Sequence, residues 1–149
     1  MNRNLSTLQI IANMTIFNIG IVLSLLSLHE VGHVLFGMYM GCQSGKAIIF
    51  DTSQQGPYAE LICSGEVNYS FAYIGSLIIP MIFGSIFLFL KNTPQRNFFF
   101  VILGFSILFC SLDIVAITGI QTMEYCFIVL GIIFVVIGEL LTSISYSEM

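Results

Sequence analysis

The two histidines of this chain stand at positions 29 and 33 in the run His29-Glu30-Val31-Gly32-His33. On an α-helix they fall one turn apart on one face, the spacing at which two neutral imidazoles hold one zinc ion. Glu30 projects about 100° further round the same helix, from where a carboxylate reaches water beside the metal without being a ligand. The chemistry implied is metal-assisted hydrolysis of a peptide bond. The H-E-x-x-H pattern should arise by chance in well under about one per cent of chains of this length. In the plainer reading the histidines hydrogen-bond a neighbouring helix and Glu30 snorkels. That reading leaves three adjacent groups without a shared purpose, although each costs about 3 kcal/mol at a bilayer centre.

These residues must be positioned by elements that are almost wholly apolar. Of 149 residues, 57% are hydrophobic and 8% charged, and the mean hydropathy is +0.99. A soluble domain would carry about a quarter charged residues. The composition predicts a single all-α polytopic membrane domain of about four transmembrane helices, with a short β-hairpin between the first and second and no separate soluble domain. The net charge of −4 rests on few groups, and no basic cluster points to nucleic acid. Cys42, Cys63, Cys110 and Cys126 lack CxxC or other metal spacing. They read as small apolar packing residues, with disulfide pairing as the alternative. Arg3 precedes an apolar run, but no small-residue cleavage site follows, so residues 1–28 are expected to be retained rather than removed as a signal peptide.

In chain order, the first span is predicted over about Ile10–Met40, with Asn13, Thr15, Asn18, Ser24 and Ser27 facing other helices and Gly20, Gly32 and Gly37 thinning it for close packing. Residues Gly41 to Gly45 end that helix. Lys46–Asp51 and Tyr58–Val67 read as strands around a polar turn, giving a hairpin over about 46–67. Beside the motif helix it is either an edge for an extended peptide or an ordinary interfacial loop. The remaining spans are expected over about Phe71–Leu90, loosened by Pro80, then Asn97–Ile120 and Tyr125–Ile144.

A catalytic zinc usually takes three protein ligands and water, so the histidine pair needs a third. Spans one and three run in the same direction if four spans alternate. His33 lies seven residues before Met40 and Asp113 seven before Ile120, each roughly 10 Å in from the same end. Glu139 lies toward the opposite end and Glu124 at the boundary, while Glu60 and Glu66 reach only if the hairpin folds inward. Asp113 is thus the candidate third ligand; the alternative pairs it with Ser111, Thr118 or a neighbouring helix.

The His29–His33 motif within a span, Gly41, a short hairpin, a glycine-bearing second span and Ser111-Leu112-Asp113 in the third together resemble the site-2 protease family of intramembrane zinc metalloproteases. The resemblance covers about Ile16–Ile120 and is strongest through Phe50. It implies that His29, His33 and Asp113 hold Zn2+, that Glu30 activates water, and that the substrates are membrane proteins cut within or beside a transmembrane segment. It also implies a multi-pass protein of the cell membrane of a prokaryote. Family members usually carry glycine after the aspartate, where this chain has Ile114, and an asparagine in the second span that is missing from Gly75–Pro80. The rival reading is a catalytically silent protein of the same fold acting as a binding or regulatory partner. On orientation, Arg3, Lys91 and Arg96 against Lys46 weakly place both termini inside. The family resemblance instead places hairpin and zinc nearer the cytosol, and the two readings stay opposed at this point.

Overall fold

A computed structural model describes residues 7–50, 56–65 and 69–147. The first helix, α1, runs Thr7–Tyr39 without a proline or a break and carries the whole histidine motif. At 1.5 Å per residue it is about 50 Å long. It stops at Gly41, whose φ of 105° lies in a region open to glycine at little cost. The chain then enters β1 (Cys42–Ile48), which pairs antiparallel with β2 (Tyr58–Cys63) in a two-stranded sheet.

The helices α2 (Tyr69–Ser85), α3 (Thr93–Phe109), α4 (Ser111–Thr118) and α5 (Thr122–Ser147) complete the order, with a 3-10 turn over Ile86–Phe89 between α2 and α3. Three helical segments, Ile11–Tyr39, Tyr69–Phe89 and Thr122–Tyr146, are long and apolar enough to cross a membrane; α3 with α4 makes a fourth if the bent pair is one span. Ile21, Leu25, Phe98, Val101 and Ile102 form the buried centre where α1 meets α3, and phenylalanines 83, 87, 105 and 109 pack around it.

Five expectations are corrected. The hairpin starts at Cys42 rather than Lys46, because the segment after Gly41 extends at once and Gly45 lets the sheet lie directly on α1: a Cβ at 45 would press on the Val34 and Leu61 side chains. Cys42 and Cys63, read as packing residues, are joined in a disulfide. The register seats them opposite each other at the base of the hairpin, where two thiols meet across the strands.

The third span is not one straight helix but bends by 47° between α3 and α4. At the junction Cys110, with φ of −79° and ψ of 0°, caps the end of α3. On α1, Asn18 meets another helix, donating to Glu139 of α5. Thr15 and Ser27 instead turn their hydroxyls back onto the carbonyls of Ile11 and Leu23, which satisfies a hydroxyl on an apolar surface without a partner helix. Asn13 and Ser24 are exposed. Among the expected packing glycines, Gly32 and Gly37 meet α2 and Leu61, whereas a side chain at Gly20 would meet nothing within 4 Å. Glu66 and the turn residues 51–55 lie outside the described residues.

Candidate metal centre

The site is built where α1, α2 and α4 converge. Gly32 and Gly75 allow the first two helices to touch main chain to main chain: a Cβ at 32 would fall 2.7 Å from the Gly75 carbonyl carbon and 2.8 Å from Ser76 Cα. This approach pairs residues 29 and 33 of α1 with residues 76 and 72 of the antiparallel α2. His33 Nδ1 lies 3.1 Å from the Ala72 carbonyl oxygen, to which its N–H donates. The main-chain carbonyl of Ser76 lies near His29, one turn along. That carbonyl is available because Pro80, inside α2, has no N–H to offer the residue four positions earlier. Cys110 Sγ also lies 3.7 Å from His29 Nδ1.

With both Nδ1 atoms occupied by neighbours, both Nε2 atoms face the third group. The bend at Cys110 puts Asp113 in the first turn of α4, and its Oδ2 lies 3.3 Å from His29 Nε2 and 3.3 Å from His33 Nε2. Two donors bound to one tetrahedral zinc at about 2.0–2.1 Å lie about 3.3 Å apart, a spacing that each histidine keeps to Asp113; the group whose ligand atoms all lie within 4.8 Å of one another is His29, Cys110 and Asp113, without His33. All three side chains are largely buried, exposed by 8%, 11% and 13%. Ser76 Oγ, fully buried, donates to the same Oδ2 at 2.6 Å. An imidazole N–H held by a carbonyl, as at His33, and a carboxylate held by a hydroxyl, as at Asp113, are supporting interactions of the kind that orient metal ligands.

Glu30 is buried, 6% exposed. It lines, with the two histidines and Asp113, a cavity of about 510 Å³. Pro57, Ala59 and Leu61 of the hairpin and Leu112 form other parts of the wall. Its volume lies within the range of ligand-binding pockets.

The residues singled out in the sequence line one cavity: His29, Glu30, His33 and Asp113, with Asp113 beside both histidines. Asp113 pairs with Ser76 of the neighbouring helix α2, as the alternative reading of this aspartate expected, and not with Ser111 or Thr118. Glu139 is bound to Asn18, Glu124 accepts from Gln121, and Glu60 sits across from Lys46 in the sheet, so none of these acids joins the site.

Two residues escaped the sequence reading. Ser76 carried no signal of its own, but a proline four residues later in an apolar helix marks its carbonyl as free. Cys110 has no motif spacing, yet His29, Cys110 and Asp113 form a buried group whose ligand atoms lie within 4.8 Å of one another and which could hold a metal ion. Comparison with protein-family models, with curated proteins and with solved structures finds no match.

Proposed function

We propose that the protein is a zinc-dependent endopeptidase that works inside a membrane and cuts other membrane proteins within or beside a transmembrane segment. The observation that carries this reading is the single carboxylate oxygen of Asp113 at 3.3 Å from both Nε2 atoms, with Glu30 beside it in a cavity. Zinc is favoured by the donor set, two imidazoles and one carboxylate with a position left open, as in hydrolytic zinc sites. The His29–Cys110–Asp113 set is the lesser ligand choice, because Cys110 approaches the Nδ1 edge of His29 while Asp113 approaches the Nε2 edge.

A zinc ion in this position supplies Lewis acidity, which makes water acidic near neutral pH and polarises a peptide carbonyl. Glu30 then serves as the base that accepts a proton from the attacking water and delivers it to the leaving amine. His33 keeps its place through Ala72, and Asp113 through Ser76. An α-helical substrate hides its carbonyls in internal hydrogen bonds, so the cleaved stretch is extended. Ala59 and Leu61 of β2, on the cavity wall, offer main chain along which such a stretch can lie.

The membrane reading is supported by the surface. Only 11%, 28% and 17% of the most apolar windows of the three long helices are buried within the protein. On α5 alone Val129, Leu130, Ile132, Ile133, Val136 and Ile137 are exposed. A continuous apolar surface of this kind needs lipid or a partner to cover it. The deciding experiment is cleavage of a coexpressed single-span substrate by wild type and by Glu30→Gln. The variant should keep its zinc and lose about 10²–10⁴-fold in cleavage, the usual range for a general base. Equal cleavage by the two removes Glu30 from the chemistry.

A further inference from the structure

The two ends of the helical bundle differ chemically. One end gathers the start of α1, the α2–α3 turn and the end of α5: Asn13, Leu90, Gln95 and Tyr146 line one cavity there, and Asn97 Nδ2 donates to Ser145 Oγ at 3.0 Å. Lys91 and Arg96 lie at this end, and Arg3 precedes α1 in the sequence. The other end carries the hairpin and the metal centre. Among the described basic residues, only Lys46 belongs to it, in β1 and opposite Glu60. Lysine and arginine in short connections mark the cytoplasmic side of a membrane protein.

A covalent feature gives the same direction independently. The Cys42–Cys63 disulfide sits at the base of the hairpin, and structural disulfides form and persist in oxidising compartments, not in a reducing cytoplasm. We infer that the hairpin and the mouth of the cavity face the oxidising, non-cytoplasmic side of the membrane, so that the substrates are membrane proteins cut close to that face. His33 lies six residues before Tyr39, the last residue of α1, which places the site about 9 Å along the helix from that end. The bridge also has a role in the cavity. It ties β2, which forms part of the wall, to the strand that leaves α1. The nature of the substrate rests on the protease reading above; the orientation rests on the disulfide and the charges alone. It is opposite to the cytosolic placement implied by the family resemblance.

The test fuses reporters to the C-terminus of the full chain: a fluorescent protein that matures only in the cytoplasm, and alkaline phosphatase, which is active only where its own disulfides form. The expected result is fluorescence without phosphatase activity; phosphatase activity without fluorescence overturns the inference. In parallel, cells expressing the unfused chain are quenched in acid and alkylated under denaturing conditions. Two of the four cysteines, Cys110 and Cys126, should react before reduction, and all four after it. Four reactive thiols before reduction would show no bridge and defeat the oxidising placement. Neither readout depends on zinc or on cleavage, so a failed protease reading leaves both results unchanged.

Discussion

Gly32→Ala tests the geometry on which the metal centre depends. The added Cβ would lie 2.7 Å from the Gly75 carbonyl carbon and 2.8 Å from Ser76 Cα, and both are main-chain atoms that cannot rotate away. Carbon–carbon contact needs about 3.5 Å, so α1 and α2 must separate by about 0.8 Å. The His33 Nδ1 to Ala72 oxygen distance of 3.1 Å then stretches to about 3.9 Å, beyond a hydrogen bond. Overpacking of this kind costs about 1–3 kcal/mol, and losing the contact that orients a ligand lowers metal affinity about 10–100-fold.

Chelator competition on purified protein measures that affinity, and Gly20→Ala is the control. A side chain at Gly20 meets nothing within 4 Å, and alanine in a helix is worth roughly 0.5–1 kcal/mol over glycine, so Gly20→Ala should bind zinc as wild type does and melt no lower. Equal zinc affinity in Gly32→Ala and wild type would refute the argument that close helix approach builds the site.

Two further outcomes are expected. Pro80→Ala returns an N–H to the Ser76 carbonyl, so α2 gains a hydrogen bond while His29 meets a competitor; zinc affinity should fall by up to about 10-fold although the helix is not weakened. Affinity unchanged from wild type would show that this carbonyl does not position His29. Cys110→Ala should leave one zinc per chain by metal analysis, since its sulfur lies at the Nδ1 edge of His29. Loss of the metal would favour the His29–Cys110–Asp113 ligand set instead.

Much of the scaffold is legible in local sequence. The long apolar runs mark the helices, and the polar stretch between β-branched residues marks the hairpin. The grouping of Asp113 with His29 and His33 follows from counting depth along two parallel helices, because a rise of 1.5 Å per residue makes position along a helix readable. What depends on the relation between elements is not readable in this way.

The Cys42–Cys63 bridge requires the hairpin register, and that register includes an irregularity between Cys42 and Ser44. Ser76 reaches Asp113 only because Gly32 and Gly75 fix how far α2 slides along α1. The bend at Cys110 has no proline or glycine to announce it. Polar residues on α1 mislead for a related reason: the hydroxyls of Thr15 and Ser27 find an acceptor in their own helix, so their presence does not require a neighbouring one.

The central claim is that His29, His33 and Asp113 hold one zinc ion between them. Metal analysis of the purified full chain beside His29→Ala and Asp113→Ala tests it before any substrate is known. One zinc per wild-type chain is expected, with loss of the metal in both variants while their helical content by circular dichroism stays at the wild-type level. Wild type without zinc, or an Asp113→Ala chain that keeps a full equivalent, would contradict the account.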